Sequence, residues 1–382
     1  MILARVVNNV NSFMGFVIAF EIIVALMGLF LAATPWLMKK QECFTVTIPE
    51  SARHDVRLRG YQHRYAAFMA GITLFACVFM AVGFFFDKGQ GSWMFVGINV
   101  GVFVPVLSSF LLMLHYRKKV ISLKKKEGWV AHSEESSAVI GEQDLPCAIS
   151  LKWNLLYLVV IVLTAGIGIA GYPLMPDLIP MHSDLAGNVT SYEPKSPGVV
   201  AFPVLVQFFI VACFVFCHWT ILRSKRSIDS QRPVTSALAY GLFARAQSIF
   251  LLVTGLLVSG LIGITFMLSA LGWMSLGMAA VCIVVVVLIL VVGSVVLSVV
   301  YGQSGSRILR RLEDSTEMPS DNDMYWKLGI FYCNGEDSSI VVPERFGIGW
   351  TFNWARPTTW ILVGAFAALT VLFIMGVLIL LG

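Results

Sequence analysis

The stretch that decides the fold runs from residue 246 to residue 300 and reads AQSIFLLVTGLLVSGLIGITFMLSALGWMSLGMAAVCIVVVVLILVVGSVVLSVV. It contains no Asp, Glu, Lys or Arg. A helix needs about 20 apolar residues to cross a hydrocarbon core of about 30 Å, so this run is too long for one crossing and long enough for two. Gly272 stands near its middle and is a suitable break point. The stretch therefore predicts a hairpin of two membrane-spanning helices.

The rest of the chain repeats this apolar pattern. Of its 382 residues, 58% are hydrophobic and only 13% are charged, with a mean hydropathy of +0.81, whereas about 25% of the residues in a soluble domain carry charge. The sequence predicts an all-α integral membrane protein, an eight-helix transmembrane bundle with a small cytosolic β-containing cap. The predicted spans are residues 11–38, 65–86, 92–115, 153–173, 199–222, 246–271, 273–300 and 357–381.

Lysine and arginine are distributed unequally between the two sides of this predicted bundle. Alternate connections, residues 39–64, 116–152, 223–245 and 301–356, hold 24 of the 27 basic residues, and the other side holds only Arg5, Lys88 and Lys195. By the positive-inside rule both termini lie outside and residues 301–356 lie in the cytosol. The net charge of +5 is then a matter of topology, so the expected partner is the lipid bilayer and no nucleic acid is expected.

Enzyme signatures are absent from the sequence. It has no zinc-binding HExxH, no GxSxG elbow, no P-loop, no CxxC pair and no dinucleotide-binding glycine pattern. The seven cysteines are scattered, and none falls in a predicted external loop. The sequence therefore assigns no catalytic residue, metal, cofactor or disulfide framework.

Residues 174–198, LMPDLIPMHSDLAGNVTSYEPKSPG, form a polar, proline-rich external segment between two apolar runs. His182, Asp184 and Glu193 are residue types that bind metals or polar ligands. Alternatively the segment is an ordered loop, because its prolines restrict the backbone and Gly187 with Asn188 favours a turn. The residues alone favour the ordered loop.

A few polar side chains lie inside the predicted spans. Glu21 is the one acidic residue deep within a span, where an ionisable group is costly unless it is protonated, paired or hydrated. It is either a functional group or a structural one that bonds to a neighbouring helix, for example to Asn99 or Gln207. Cys213, Cys217 and His218 offer too few ligands to predict a metal site.

The cytosolic segments are predicted to carry both helical and extended structure. Basic residues before span 2 favour a helical extension of that span. Those after span 3, at residues 116–129, favour an extension of span 3 in the same way. Aromatic and β-branched residues on both sides of NGEDSS, residues 334–339, predict a β-hairpin around that turn. The phrases TVTIPES (45–51) and SIVVPER (339–345) suggest two strands that pair into one sheet, with chance similarity as the alternative.

Two motifs resemble those of a known family. YPLMPDLIPMHSDLAGNVTSYEPKS resembles the YPxLPxxIPxHFxxxGxxDxxxxK pattern of SdpI-type bacterial membrane proteins, although Ser183 replaces the usual Phe and Thr190 stands near the usual Asp. WKLGIFYCNGEDSSIVVPERFGIGWTFNWARP is similar to a second domain of unknown function in longer members of that family. The residues assigned to ligand binding or loop ordering are Tyr172, Pro173, Pro176, Pro180, His182, Asp184, Gly187, Glu193 and Lys195. Those assigned to a cytosolic relay are Trp326, Tyr332, Asn334, Asp337, Arg345, Gly347, Gly349, Trp350 and Asn353.

The resemblance implies a non-catalytic immunity or signal-transduction receptor in a bacterial plasma membrane. Its expected partners are an external toxin, peptide or envelope ligand and a cytosolic transcriptional regulator. The alternatives are a transporter or exporter that uses Glu21 as its coupling group, and a membrane-embedded enzyme with a metal at His182. The expected regions are residues 1–152, 153–222, 223–300, 301–356 and 357–382, namely a three-helix region, the first motif with its external loop, a helical hairpin, the cytosolic domain and a last helix.

Overall fold

The computed structural model describes residues 2–39, 41–86, 92–130, 145–183, 189–226, 233–308 and 321–381. Within these ranges, eight helices are long and apolar enough to cross a membrane, which confirms the predicted all-α bundle. The helices are α1 (Ile2–Leu37), α2 (Val56–Phe86), α3 (Ser92–Glu127), α4 (Leu156–Gly171), α5 (Pro197–Arg223), α6 (Pro233–Ala270), α7 (Leu276–Tyr301) and α8 (Pro357–Leu381).

The predicted break at Gly272 is confirmed. Gly272 has a φ of +74° and follows the end of α6, a left-handed conformation that glycine adopts without steric cost. Its N–H donates to the Ser269 carbonyl at 3.0 Å. Ser275 then caps α7, because its hydroxyl accepts a hydrogen bond from the Met278 N–H at 3.2 Å. The long apolar run therefore folds back on itself as an α6–α7 hairpin.

Several helices are longer than the apolar spans from which they were predicted. Helix α2 begins at Val56, α3 continues to Glu127, and α6 begins at Pro233, which confirms the predicted extensions of spans 2 and 3. At about 1.5 Å per residue, the 38 residues of α6 extend about 57 Å, well beyond the hydrocarbon core. Hydropathy detects only the membrane-embedded part of such a helix.

The helices form two groups that α7 joins. Helices α1, α2 and α3 pack against one another, while α4, α5 and α6 form the second group and α8 packs on α5. The rings of Phe209 and Phe373 stack between α5 and α8 with their centroids 4.3 Å apart. Helix α7 contacts both α6 and α1, so it is the element shared by the two groups.

The strands of the described residues form four two-stranded antiparallel ribbons, and two isolated parallel bridges join Ser224 to Val341 and Tyr332 to Asn353. One of the ribbons, the pair β3–β4, lies where α6 turns into α7, and the other three lie at the opposite end of α6. The strands are β1 (Glu42–Cys43), β2 (Val46–Thr47), β3 (Leu178–Ser183), β4 (Val189–Pro194), β5 (Trp326–Lys327), β6 (Phe331–Tyr332), β7 (Val341–Pro343) and β8 (Trp350–Phe352).

Two expectations about these strands are wrong. The turn at residues 334–339 does not join paired strands, because β6 pairs backward with β5 and β7 pairs forward with β8. The phrases at 45–51 and 339–345 do not pair either, since β2 pairs with β1 across a turn in which Phe44 and Thr45 have φ values of 46° and 65°. Each strand pairs with a close sequence neighbour, for which the entropy of loop closure is smaller.

Candidate functional site

The β-structure at the far end of the bundle from the α6–α7 turn is here called the cap, comprising residues 41–48, 224–225, 303–306 and 321–356. Its centre is Asn353, whose side chain is completely buried. The Asn353 amide donates to the carbonyls of Asn334 (2.7 Å), Asp337 (3.2 Å) and Ser339 (3.2 Å). Its oxygen accepts from the N–H groups of Asn334 (3.1 Å) and Ala355 (3.3 Å). One side chain thereby holds the whole 334–339 turn.

A second cluster in the cap surrounds Asp337. Its carboxylate accepts hydrogen bonds from the Tyr332 hydroxyl at 2.9 Å and from the Lys225 ammonium at 2.7 Å. Burial by itself would raise the pKa of Asp337, but Lys225, Ser339 and Tyr332 together lower it to about 2. Asp337 is therefore ionised at neutral pH and ties Lys225, just after α5, to the 334–339 turn.

Asp323 organises a third cluster, which joins the C-terminal part of the cap to α3 and to the β1–β2 turn. Its carboxylate accepts from the Thr47 N–H (3.0 Å), the Arg345 guanidinium (2.5 Å) and the Lys124 ammonium (2.7 Å). Burial opposes ionisation, but Arg345 and Lys124 outweigh it, so the pKa of Asp323 is lowered. Arg345 also lies over the Trp326 ring, with its guanidinium carbon 5.0 Å from the ring centroid.

Arg117 is a buried cap contact that the sequence analysis did not single out. Its guanidinium donates to the Thr45 carbonyl at 2.8 Å and to the Trp326 carbonyl at 3.0 Å. Arg345 donates to the same Thr45 carbonyl at 3.0 Å. The two arginines thus fix a turn with an unfavourable backbone conformation for a β-branched residue. In the sequence, Arg117 is one of three consecutive basic residues, and nothing there distinguishes it from the exposed Lys118.

The glycines of the second motif adopt backbone conformations that place the cap against the ends of α6 and α7. Gly347 and Gly349 have φ values of 106° and 154°, which are suited to glycine. The Gly349 N–H donates to the Gln303 side chain just after α7 at 3.1 Å. The Trp350 indole N–H donates to the Tyr240 hydroxyl of α6 at 3.4 Å. These contacts connect the cap to both helices of the α6–α7 hairpin.

At the other end of the bundle, the β3–β4 ribbon gathers several first-motif residues. The Lys195 ammonium donates to the Met175 carbonyl at 2.9 Å and lies 4.9 Å from the centroid of the Tyr172 ring. The His182 ring nitrogen Nδ1 and the Ser191 hydroxyl are 2.8 Å apart. These bonds connect the start of the ribbon to its end and β3 to β4.

The prolines and acidic groups of the first motif contribute to this ribbon unequally. Pro173 lies in the short helical turn after α4, Pro176 precedes β3, and Pro180 pairs with Tyr192 across the ribbon. Glu193 pairs with Ile179, whose side chain is completely buried. Asp184 and Gly187 lie outside the described residues. Among the residues that the structure describes, no three His, Cys, Asp or Glu side chains are placed to hold a metal ion.

The intramembrane polar residues do not meet one another. Glu21 hydrogen-bonds to the Cys77 thiol of α2, Asn99 donates to the Phe95 carbonyl of its own helix at 2.8 Å, and Gln207 donates to Thr164 and to the Ser259 carbonyl, both at 2.9 Å. The suggested bonds from Glu21 to Asn99 or Gln207 are therefore wrong. Gln207 belongs to the α4–α6 group, whereas α1 packs on α2, α3 and α7.

Comparison with known proteins matches both motif regions to families without an assigned activity. Residues 159–206, which include much of α4, the ribbon and the start of α5, match a domain of unknown function (DUF1648). Residues 336–360, which include the centre of the cap, match a family of unknown function (DUF5808). No curated protein and no solved structure matches the chain.

Proposed function

We propose that this multi-pass membrane protein is a non-catalytic receptor of the immunity or signal-transduction type. In this proposal the β3–β4 ribbon recognises an external toxin, peptide or envelope ligand, and the cap presents the bound state to a cytosolic transcriptional regulator. The supporting observation is that one element, the α6–α7 hairpin, holds the ribbon at one end and the cap at the other.

The contacts at the two ends of the hairpin support this relay. Ile179 of the ribbon is in one buried cluster with Met267 and Leu271 at the turn of the hairpin. About 40 Å along α6, at 1.5 Å per residue, Tyr240 bonds to the cap. A ligand that favours one ribbon position would shift the cap only if it binds the two states with different affinity.

The orientation within the proposal follows from the basic residues. The four connecting segments that contribute residues to the cap or contact it contain 24 of the 27 lysines and arginines, and such segments face the cytosol by the positive-inside rule. Both termini and the ribbon then lie outside. This is the arrangement that a receptor for an external ligand requires.

The relay can be tested without knowing the ligand. Ile179→Ala removes a buried side chain that anchors the ribbon, and Leu178→Ala removes its exposed neighbour. We expect amide hydrogen exchange in residues 331–354 to accelerate in Ile179→Ala but not in Leu178→Ala, with the full chain in lipid nanodiscs. The amides of α2 and α3 report on general unfolding. Unchanged exchange in the cap would argue against the relay.

The regulatory partner calls for a separate experiment. Crosslinking and capture from native membranes should recover a transcriptional regulator with the intact chain but not with a chain whose residues 321–354 are replaced by a flexible linker. Membrane abundance must be equal in the two samples. Recovery of the same regulator by both chains would place its binding site outside the cap.

Glu21 favours a second candidate function, that of a transporter. Its Oε1 atom is buried and has no hydrogen-bond partner among the described residues, and α1 contacts the shared helix α7. A carboxyl group of this kind in a membrane is a candidate coupling group. Substrate flux into vesicles that disappears in Glu21→Gln and survives in His182→Ala would favour transport over sensing.

A further inference from the structure

A basic groove of about 550 Å³ lies between the cap-side ends of α2 and α3, outside both sites described above. Arg57 and Tyr61 of α2 form one wall of the groove. The other wall is formed by α3, with His115, Lys118, Lys119 and Lys126 among its lining residues. The groove is open to its surroundings and is lined by more cationic than apolar side chains.

Most of the positive charge in the groove is not compensated. Arg57 is paired with Asp55 at 2.6 Å and with Glu127 at 2.8 Å. By contrast, Lys118, Lys119 and Lys126 form no ion pair within the part of the chain that the structure describes. The Lys119 ammonium instead lies between two aromatic rings, 5.2 Å from the centroid of Tyr116 and 5.7 Å from that of Tyr61. Three lysines without an ion pair among the described residues thus line one groove, whereas the nearby carboxylates of Asp55 and Glu127 are taken up by Arg57.

The groove continues into an apolar track along the membrane-embedded part of the same helices. On α3, successive spacings of four, four and three residues keep side chains on one helical face. The residues so spaced are Leu107, Leu111, His115 and Lys118. On α2, Phe68 lies seven residues after Tyr61, or two helical turns, and therefore shares a face with it. Leu107, Leu111 and Phe68 are 59%, 55% and 56% exposed. Cationic side chains therefore lie next to an exposed apolar strip on the same two helices.

We propose that this groove binds one anionic glycerophospholipid. The phosphate group would lie among the Lys118, Lys119 and Lys126 ammonium groups, and an acyl chain would follow the strip formed by Leu111 and Phe68. Lysine side chains suit this position because their alkyl stems cover apolar surface while their charges reach the headgroup layer. Basic pockets between transmembrane helices on the cytoplasmic side are recognised sites for anionic headgroups.

The position of the groove gives such a lipid a structural consequence. Tyr116, which contacts the Lys119 ammonium, stacks on Phe44 of the β1–β2 turn with 5.2 Å between ring centroids. The neighbouring residues Arg117 and Lys124 bind the cap directly. A lipid bound at Lys119 would thus lie next to the contacts that hold the cap on α3.

The test compares lipid binding to the full chain in detergent by native mass spectrometry. The probes are phosphatidylglycerol and phosphatidylcholine with identical acyl chains. One variant is Lys118→Gln, Lys119→Gln and Lys126→Gln. The matched control, Lys125→Gln, Lys152→Gln and Lys327→Gln, removes three exposed lysines from the same side of the bundle but outside the groove.

We expect the wild-type chain to prefer phosphatidylglycerol by about tenfold or more, since each basic residue near an anionic lipid surface adds a favourable increment. The groove variant should lose most of that preference, and the control should keep it. Equal affinity of the wild-type chain for both lipids would overturn the proposal. Equal losses in the two triple variants would overturn it too, because they would indicate attraction by the basic side as a whole.

A competition experiment distinguishes a lipid from a soluble phosphate compound. Glycerol 3-phosphate carries the charged group without the acyl chains. Displacement of phosphatidylglycerol only at much higher concentrations of glycerol 3-phosphate supports a lipid site. Displacement at equal concentrations would reassign the groove to a soluble phosphate. As a second variant, Leu111→Ser should weaken the binding of phosphatidylglycerol but not that of glycerol 3-phosphate, and unchanged lipid binding would rule out the acyl track.

Discussion

Individual side chains replace regular strand pairing in the cap. Its strands are only two or three residues long, so most backbone groups between them need partners of another kind. Asn353 supplies five hydrogen bonds to the 334–339 turn and its surroundings, and Asp323 joins three segments that are far apart in sequence. At the scale of the residue, the integrity of the cap therefore depends on a few buried polar groups.

Replacing Asn353 should open the cap. Asn353→Ala leaves three carbonyls and two N–H groups without their partner, and a buried unsatisfied polar group costs about 1–3 kcal/mol. We expect cleavage by a protease within residues 331–354 to accelerate while the helices remain protected. Ser338→Ala, an exposed change in the same turn, should have little effect. Equal cleavage of the two variants would contradict this role.

Glu344 should make cap stability depend on pH. Burial raises the pKa of its carboxyl group to about 7 from its ordinary value of 4.5. The folded cap therefore keeps a proton that the unfolded chain releases, so the contribution of Glu344 to stability is fully present below pH 4.5 and is lost as pH rises through 7. Glu344→Gln should remove this loss, raising the stability of the cap above pH 7 by roughly 1–3 kcal/mol.

The measurement is the rate of proteolysis or hydrogen exchange in the cap between pH 5 and pH 8. Glu336→Gln, which removes an exposed carboxylate from the same region, should follow the wild-type profile. A wild-type profile parallel to that of Glu344→Gln would show that the Glu344 carboxyl does not govern the pH dependence.

At the scale of the element, small residues allow helices α4, α5 and α6 to approach closely. A methyl group added at Gly263 would overlap the Gln207 amide and the Thr164 hydroxyl. This is the point where Gln207 joins all three helices through Thr164 and Ser259. In a membrane, where helices gain little from burying apolar surface against each other, such contacts are a main source of association.

Gly263→Ala should therefore loosen the second helix group. We expect a loss of roughly 1–3 kcal/mol, the usual cost of overpacking a dense site, measured as a lower unfolding midpoint in detergent. Gly364→Ala on α8 makes the same chemical change where no atom lies within 4 Å, and its midpoint should stay at the wild-type value. A Gly263→Ala midpoint equal to that of the control would show that the added methyl group fits between the helices without loss of stability.

At the scale of the whole molecule, the described residues of all four basic connections meet at one end of the bundle. Described residues of the connections after α1, α3, α5 and α7 contact one another in the cap, for instance through Thr45, Lys124, Lys225 and Asp337. The ribbon stands at the opposite end of α6. This arrangement agrees with the alternation of charge in the sequence and makes the orientation of the protein testable at two points.

Single cysteines should report opposite sides of the membrane. Thr190→Cys in the ribbon and Ser338→Cys in the cap each introduce a thiol at an exposed position. The background for both has Cys147, Cys217 and Cys333 replaced by Ser. We expect a membrane-impermeant maleimide to label Thr190→Cys in intact cells and Ser338→Cys only after permeabilisation. The reverse pattern would invert the orientation, and labelling of both in intact cells would contradict the topology.

The sequence by itself determined the eight helices, the break at Gly272 and the single side on which the basic segments gather. Hydropathy and charge act locally and additively, so a window of about 20 residues is enough to read them. It also marked Trp326, Arg345 and Asn353 as notable residues of the cap, through motifs rather than through contacts. It paired the cap strands wrongly, and it could not separate Arg117 from its basic neighbours.

Only the tertiary structure decided which strands and side chains of the cap contact one another, and which helices contact the cap. Arg345 bonds to Thr45 across 300 positions of the chain, and Thr47 meets Asp323 across 276. Such contacts depend on the relative positions of the helix ends, and no local sequence pattern encodes those positions. The same holds for the groove between α2 and α3, because its charge becomes a site only when two helices place Tyr61 and Lys119 side by side.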